Sequence, residues 1–279
     1  MTSPIDLHCH TTASDGDWAP EKLVAEAAAR GIQTLAITDH DTFAGYRQAR
    51  ETASSLGVTL IPGIELSAVW SGITLHIVGL NFDPQSAVIQ QAEQSQSEAR
   101  QRRAGVIAER LSKRIGAEID LRAVELLAGG DQVGRPHFAQ HLINQGHVNT
   151  MNQAFSRYLG AGKVGDVKAM WPDMKQAVEW IVDSGGVAVM AHAHLYNMTR
   201  TKLKACLKDF IAAGGSAMEV AYGQMDNNQR GQMCALAKEM GLKGSCGSDF
   251  HGPNRYGLEL GVMPAFPADV PPVWSAWQS

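Results

Sequence analysis

The chain has 279 residues, of which 44% are hydrophobic, 19% charged and 6% aromatic, and this composition excludes whole-chain disorder and fibrous proteins. At about 150 residues per domain, the length predicts one or two domains. With 24 Lys and Arg against 28 Asp and Glu, the formal net charge of −4 provides no basic field that would hold a long nucleic acid polymer, so an anionic substrate must be attracted locally.

The four cysteines are scattered without a CxxC pair, which excludes a zinc ribbon and a readable disulfide framework. The first residues lack a basic segment followed by an apolar stretch. No segment holds the ~18 uncharged apolar residues that typically cross a membrane. We therefore expect a soluble cytoplasmic protein without a membrane partner.

Short apolar runs rich in β-branched residues predict strands, and helical patterns lie between many of them. The first helix is expected to begin at Pro20 and to end at Gly31. Strands that alternate with helices favour parallel βαβ units, so the pattern predicts an α/β fold of the barrel type rather than an open sheet. The seven predicted strands are 5–7, 34–38, 59–64, 73–79, 187–191, 217–221 and 242–246.

One segment interrupts this alternation, because residues 87–162 show helical patterns with many polar residues and no convincing strand. We predict a single barrel formed by residues 1–86 and 163–279, with a helical cap at 87–162 inserted between two of its strands. Basic side chains in the first part of the insertion fit a solvated helix face, as charge runs on helices usually do. They are Arg100, Arg102, Arg103, Arg110, Lys113 and Arg114.

Metal-ligand side chains occur at or near the ends of the predicted strands. His8 and His10 lie on one face of the first strand, because alternate strand residues share a face. The carboxyl ends of parallel barrel strands meet at one rim, so ligands from different strands should converge there. The set exceeds the needs of one tetrahedral ion and predicts two or three metals, with Glu65 as the expected bridge. The candidate ligands are His8, His10, Asp15, His40, Glu65, His76, His192, Asp249 and His251.

The ordered motifs DLHCHTTASDGD, AITDHDT, IPGIELSA, LHIVGL, VAVMAHAH and CGSDFHG closely resemble those of the PHP (polymerase and histidinol phosphatase) phosphoesterase family, over nearly the whole chain. The resemblance implies a distorted (β/α)7 barrel with two or three metals, typically manganese, iron or zinc. It also implies a ligand group for each metal. The groups are His8, His10, Glu65 and Asp249 for the first, Glu65, His76 and His192 for the second, and Asp15, His40 and His251 for the third.

The insertion resembles that of the family branch acting on nucleotides with 3′ and 5′ phosphates, and that of the related exonuclease branch. Arg135 and His137 match its GRPHxA motif, which implies that they bind substrate phosphate; a planar guanidinium can hold phosphate through two hydrogen bonds. The family commonly has AHP where this chain has AHAH, so His194 is a candidate for substrate binding and for protonating the leaving alkoxide. As alternatives, Arg135 only begins a surface helix and His194 is a loop residue bonded to backbone or solvent.

These features predict a metal-dependent phosphomonoesterase that removes the 3′-phosphate of a nucleoside 3′,5′-bisphosphate such as adenosine 3′,5′-bisphosphate. Divalent ions neutralise phosphoryl charge and provide a nucleophile at neutral pH; manganese is expected, with iron or zinc as alternatives. The expected partner is a small nucleotide or a short oligoribonucleotide.

Other functions fit the same residues. One is a 5′-3′ exonuclease on short 5′-phosphorylated oligoribonucleotides, and another is a phosphatase for a different small phosphate ester, such as histidinol phosphate. A binding module without turnover disagrees with the complete ligand set. Phe138, Tyr158 and Trp171 are candidates for stacking a base, although the first two, at helical spacing, equally fit a core.

Overall fold

The computed structural model describes residues 2–129, 132–168, 170–253 and 255–277. Its strands are β1 (Ile5–Asp6), β2 (Thr34–Ala36), β3 (Thr59–Ile61), β4 (Gly63–Trp70), β5 (Ile73–Leu80), β6 (Val187–Met190), β7 (Ala217–Tyr222) and β8 (Lys243–Gly247). They form a parallel three-stranded sheet, in the order β1-β2-β3, and a five-stranded sheet in the order β4-β5-β6-β7-β8. In the larger sheet β5 runs antiparallel to both of its neighbours, whereas β6, β7 and β8 are parallel.

The hairpin of β4 and β5 is the main departure from the predicted strand pattern. The run 59–64 is split into two strands around Pro62, which has no backbone N–H to donate to a ladder. β4 then extends to Trp70, which pairs with Ile73 across the turn. The two turn residues, Ser71 and Gly72, both have positive φ, at 47° and 75°, as a tight two-residue hairpin requires.

The α/β class is confirmed, but the described strands form two sheets and not one closed barrel. Isolated parallel bridges connect the sheets, between Cys9 and Phe250 and between His40 and Glu65. The antiparallel hairpin breaks the strict strand and helix alternation that a closed parallel barrel needs. The first bridge brings the carboxyl ends of β1 and β8 together, and the second brings the carboxyl end of β2 next to β4.

Nine α-helices lie in the described ranges, and none of them is both long and apolar enough to cross a membrane. They are α1 (Pro20–Ala29), α2 (Ala44–Leu56), α3 (Ala87–Ile115), α4 (Leu121–Ala128), α5 (Arg135–Asn144), α6 (Met151–Ala154), α7 (Met174–Asp183), α8 (Arg200–Ala212) and α9 (Asn227–Met240). A π-helical turn follows α6 at Phe155–Leu159, and 3-10 turns lie at Ala193–Leu195 and Val273–Ala276.

The segment between β5 and α7 contains helices and no strand in its described part. It packs around its own hydrophobic cluster, which includes Ile107, Phe138 and Leu142 and continues to Val167. We call residues 87–162 the cap, which are the bounds that the sequence predicted for the insertion. That the cap is a separate unit stays a prediction.

The long helix α3 has a different polar face from the one predicted. Arg102, Arg110, Lys113 and Arg114 are exposed as expected. The prediction was wrong for Arg100 and Arg103, whose residues are each only 5% exposed. These two positions lie three residues apart on one face of the helix, and that face is turned inwards.

Candidate active site

Glu65, on β4, occupies the middle of a cluster of imidazole rings. Its Oε2 atom is 3.3 Å from Nε2 of His8, 3.3 Å from Nε2 of His10 and 3.0 Å from Nδ1 of His40. Burial acts to raise the pKa of Glu65, but the surrounding imidazoles, led by His76, hold that pKa well below its usual range. The side chain is therefore an anion that several strand ends share.

The other oxygen of Glu65 faces the second group of histidines. Oε1 is 3.0 Å from Nδ1 of His76 and 3.0 Å from Nε2 of His192. His192 follows β6 with a φ of 29°, a strained conformation for a residue with a side chain. The two oxygens of Glu65 thus point at different ligand groups, which is the geometry of a bridging carboxylate.

Asp249 completes a group with His8 and His10, which follow β1. Its Oδ1 atom is 3.3 Å from Nε2 of His8 and 3.1 Å from Nε2 of His10, while Oδ2 accepts a hydrogen bond of 2.7 Å from the Tyr222 hydroxyl. Asp249 also has a positive φ, at 53°. The backbone just after β8 is therefore bent to aim this carboxylate at His8 and His10.

Asp15 gathers the remaining predicted ligands. Its Oδ1 atom is 3.4 Å from Nε2 of His251, 3.9 Å from Nε2 of His40 and 4.0 Å from Nδ1 of His10. Asp39, which also follows a strand, is not part of this group: it accepts hydrogen bonds from Thr11 and Ser14 and so holds the loop that carries Asp15.

All nine predicted ligands are thus brought into one continuous cluster. Atoms of three subsets lie within 4.8 Å of one another: His10, Asp15, His40 and His251; His8, His10 and Asp249; and His40, Glu65 and His76. The resemblance implied His40 for the third group only, whereas its Nδ1 faces Glu65 and its Nε2 faces Asp15.

The cluster fits divalent metal ions. Several of its nitrogen and oxygen atoms are fully buried and have no hydrogen-bond partner among the described residues, although they lie within about 4 Å of one another. Neutral imidazole nitrogens and carboxylate oxygens with facing lone pairs are stable together when a cation lies between them. The unpartnered atoms include Nε2 of His8, both ring nitrogens of His10, Oδ1 of Asp15, Nδ1 of His40, Oε2 of Glu65 and Nδ1 of His76.

Glu219 is a site residue that the sequence did not assign, although it lies in a predicted strand. On β7, its Oε1 atom is 2.6 Å from Nδ1 of His8, and Oε2 accepts a hydrogen bond of 2.5 Å from the backbone N–H of His192. Glu219 therefore fixes the ring of one predicted ligand and the strained backbone of another. The available signal was a single acidic residue in an otherwise apolar, buried strand.

Gly247, at the end of β8, fixes the position of His8 in another way. A Cβ at this position would lie 2.2 Å from the Cβ of His8. Only glycine allows this close approach of β8 to the segment that follows β1.

Asp41 is a second residue that the sequence did not assign. Its Oδ1 accepts from the Ser67 backbone N–H and from the Gln96 side chain, at 2.6 Å and 2.8 Å. Its Oδ2 accepts from Nε and Nη2 of Arg100, at 2.7 Å and 2.6 Å. This buried carboxylate ties helix α3 of the cap to β4.

A cavity of about 540 Å³ is lined both by residues of the ligand cluster and by residues of the cap. We call the side formed by the ligand cluster the metal end; of the nine predicted ligands, Asp15, His40, His76, Asp249 and His251 line the cavity itself. The cap end is lined by Arg100, Arg103, Arg135, Phe155 and Trp171. A volume of this size suits a small ligand.

Arg135 and His137 begin helix α5, as predicted, and have different surroundings. Arg135 lines the cavity, and its Nη1 donates to the Leu159 carbonyl at 3.2 Å. His137 accepts a hydrogen bond of 3.0 Å from the Gly134 N–H through Nδ1, and it is not one of the described residues that line the cavity. Burial lowers the pKa of His137, which agrees with a neutral ring acting as acceptor. Phosphate binding by either residue stays a prediction.

His194 lines the cavity, with its ring centroid 4.8 Å from that of Tyr222. Its Nδ1 is buried and has no partner in the described part of the chain. Burial lowers the pKa of His194 from its ordinary value, so the neutral form predominates at pH 7. Protonation of a leaving group by His194 stays a prediction, and these surroundings favour a binding role over it.

The aromatic candidates separate into core and cavity residues. Phe138 is fully buried in the cap cluster, and Tyr158 packs against that cluster. Trp171 lines the cavity, with the guanidinium carbons of Arg100 and Arg103 at 5.4 Å and 5.1 Å from its ring centroid. Phe155, which the sequence did not single out, lies beside it on the cap end.

The site combines buried histidine and carboxylate ligands with a cavity lined by arginines, and this combination suits the hydrolysis of a phosphoric ester. The chain is a phosphoric ester hydrolase. The family model for the PHP domain matches residues 6–184, more than half of the chain. The chain belongs to that family.

Relatives in the family cover almost the whole chain. The 5′-3′ exoribonuclease of Haemophilus influenzae is 43% identical over 98% of this chain and 99% of its own. The 3′,5′-nucleoside bisphosphate phosphatase of Chromobacterium violaceum is 37% identical over 97% of this chain and 95% of its own. A solved structure from Chromobacterium violaceum, described as an amidohydrolase with bound sulfate and no metal, is 36% identical, covers 98% of this chain and 95% of its own, and has a TM-score of 0.90.

Proposed function

We propose that this enzyme removes the 3′-phosphate of a nucleoside 3′,5′-bisphosphate, giving the 5′-monophosphate and inorganic phosphate. The observation that supports this proposal most directly is the cavity with two chemically different ends. One end offers ligands for cations that would receive the reacting phosphate, and the other offers arginines that would receive a second phosphate. A related structure holds sulfate, an anion of similar shape and charge.

Two or three divalent ions would be held by the metal end, and manganese is the metal we propose. Glu65 would bridge two ions, with His8, His10 and Asp249 on one side and His76 and His192 on the other. Asp15, His40 and His251 would hold the third. When bound, such ions supply charge neutralisation for the phosphoryl group and an activated water.

The chain's own residues would orient the substrate and confine the reaction. Arg135 would hold the 5′-phosphate, while Glu219 keeps the ring of His8 in place through its 2.6 Å contact. Hydrolysis joins a water oxygen to phosphorus and breaks the bond from phosphorus to the 3′-oxygen, which takes up a proton. His194, on the cavity wall, would contact this leaving oxygen.

A 5′-3′ exonuclease acting on short 5′-phosphorylated oligoribonucleotides is the second candidate. It is favoured by the name of the relative from Haemophilus influenzae, which is more similar to this chain than the bisphosphate phosphatase is. Both reactions break the bond between phosphorus and the 3′-oxygen of a nucleotide that carries a 5′-phosphate. They differ only in whether the reacting phosphate carries a further ester, so one site can serve both.

Release of phosphate and nucleotide from three substrates tests the proposal. Manganese-loaded enzyme is incubated with adenosine 3′,5′-bisphosphate, with adenosine 3′-monophosphate and with a 5′-phosphorylated oligoribonucleotide. We expect kcat/KM for the bisphosphate to exceed that for the 3′-monophosphate by about 100-fold, because charge-assisted hydrogen bonds contribute ~1.5 to 3 kcal/mol each. Equal values would refute a role for the 5′-phosphate. A higher kcat/KM for the oligoribonucleotide would replace the first candidate by the second.

A further inference from the structure

Arg103, on helix α3, is a buried cation at the cap end. The residue is only 5% exposed, and its Nε donates to the Val167 carbonyl at 2.8 Å. Its terminal nitrogens form no ion pair with a carboxylate in the described ranges, yet the side chain lines the cavity. The terminal nitrogens of this guanidinium therefore have hydrogen-bonding capacity that a molecule in the cavity can use.

The neighbouring charged groups are already paired. Asp41 accepts from Arg100, and Asp166 lies 3.2 Å from Nζ of Lys168 and 4.0 Å from Nη1 of Arg135. Each of the two nearby carboxylates is therefore engaged by another cation. Neither carboxylate forms an ion pair with Arg103.

The electrostatic surroundings of Arg103 favour an incoming anion. Burial and the like charges of Arg135 and Arg100 lower the pKa of Arg103 to about 9, so it is still charged at pH 7. A buried charge without a counterion is costly, and the cost is relieved when an anion enters. A phosphate would also fit the planar fork of the side chain with two hydrogen bonds.

We infer that Arg103 binds the non-reacting phosphate of the substrate, with Trp171 packed beside its guanidinium group. The ligand class is a nucleotide with a terminal phosphate monoester at its 5′ end. This inference rests on the proposed function, because the reacting phosphate is assigned to the metal end. It adds to the predicted pair Arg135 and His137 a residue from the face of α3 that the sequence pattern places in solvent.

The first test measures binding in the absence of metal and turnover. Adenosine 5′-monophosphate is titrated into chelator-treated protein by calorimetry, because this ligand carries only the non-reacting phosphate. Arg103→Met should raise the Kd by about 100-fold. Arg102→Met is the matched control, because it removes a neighbouring arginine whose side chain is 59% exposed. Exposed charges contribute little, so the Kd should change by less than about 2-fold. Equal Kd values for wild type and Arg103→Met would overturn the inference.

The second test separates this inference from the proposed function. In wild type, the ratio of kcat/KM for adenosine 3′,5′-bisphosphate to that for adenosine 3′-monophosphate reports whether the 5′-phosphate is recognised at all. A ratio near 1 would refute both the proposed function and this inference. A high ratio in wild type that survives in Arg103→Met overturns only the assignment of Arg103. A high ratio that collapses in Arg103→Met and persists in Arg102→Met supports the assignment.

Folding of the variants is checked by their melting temperatures without ligand. Replacing an unpaired buried cation by an apolar side chain of similar length should leave the melting temperature unchanged or raise it. If Arg103→Met does not fold, Arg103→Lys serves instead: it keeps the charge and loses the fork, so the Kd for adenosine 5′-monophosphate should rise about 10-fold. An unchanged Kd in that variant overturns the inference.

Discussion

The two ends of the cavity differ in the charge that the chain itself provides. The metal end gathers three carboxylates and six imidazoles, a donor set that attracts a phosphate only after cations have bound. The cap end presents the positive charges of Arg100, Arg103 and Arg135 within the chain itself. Under the proposed function, chemistry and recognition therefore depend on different sources of charge, so that each should be removable without the other.

The largest effect is expected from Glu65→Gln, which removes the negative charge of the carboxylate that faces two groups of predicted ligands. Activity should fall by about 10⁴-fold, because metal ions provide several kcal/mol of transition-state stabilisation. Phosphate release and the metal content of the purified protein are the measurements. Binding of adenosine 5′-monophosphate to the cap end should persist; its loss would show that the two ends are not separate.

Asp41→Asn should weaken the connection between helix α3 of the cap and β4. It leaves Arg100 buried without its carboxylate, and breaking such a pair from one side costs about 3 kcal/mol of folding free energy. Asparagine tolerates the positive φ of 58° at this position, so the loss reports the charge. Urea unfolding measures it. Glu98→Gln, which removes an exposed partner of Arg102, is the control and should cost less than about 0.5 kcal/mol; similar losses in both variants would contradict the prediction.

Glu219→Gln sharpens the comparison within the metal end. The substitution weakens the hold on the His8 ring without removing a predicted ligand, so metal affinity should fall by ~10- to 100-fold. Competition with a chelating dye gives the affinity. Excess manganese should restore most of the activity, and a variant that remains inactive at saturating metal would argue that Glu219 has another role.

Trp171→Leu is expected to have the smallest effect, and it acts on the cap end alone. Loss of the contacts to Arg100 and Arg103 should raise the KM for the bisphosphate by about 5-fold, as cation–π interactions of ~1 kcal/mol imply, with little change in kcat. Trp70→Leu, which removes a tryptophan 6.0 Å from Lys202, serves as the control because Trp70 does not line this cavity. A change in kcat alone would assign Trp171 to the chemistry.

The sequence predicted the α/β class and the convergence of the nine ligands, because strand ends and metal-binding residue types are local signals. It did not predict the extent of β4, because the segment SAVW gives no clear strand or turn signal. The turn that ends β4 depends on the positive φ of Ser71 and Gly72, which is visible only in the structure. It also missed the burial of Arg100 and Arg103. Their surroundings come from Asp41 and Val167, which are distant in sequence, so no pattern within α3 could reveal them.

The assignment of individual ligands was similarly limited. The family resemblance implied His40 for one group only, but each of its two ring nitrogens faces a different carboxylate. Glu219 was visible only as a charge in an apolar strand, and its hydrogen bond to His8 joins β7 to the segment that follows β1. Such pairings depend on how strands lie side by side, which sequence alone does not specify.

Under the proposed function, the buried hydrogen bonds of Asp41 also bear on the choice of substrate. By joining α3 to Ser67 on β4, they hold the arginines of the cap at a set distance from the ligands below. With the two phosphates bound as proposed, this fixed separation would select molecules by the distance between their two negative groups more than by the base between them. Nucleotides whose second phosphate lies nearer or farther should therefore be poor substrates, whatever their base.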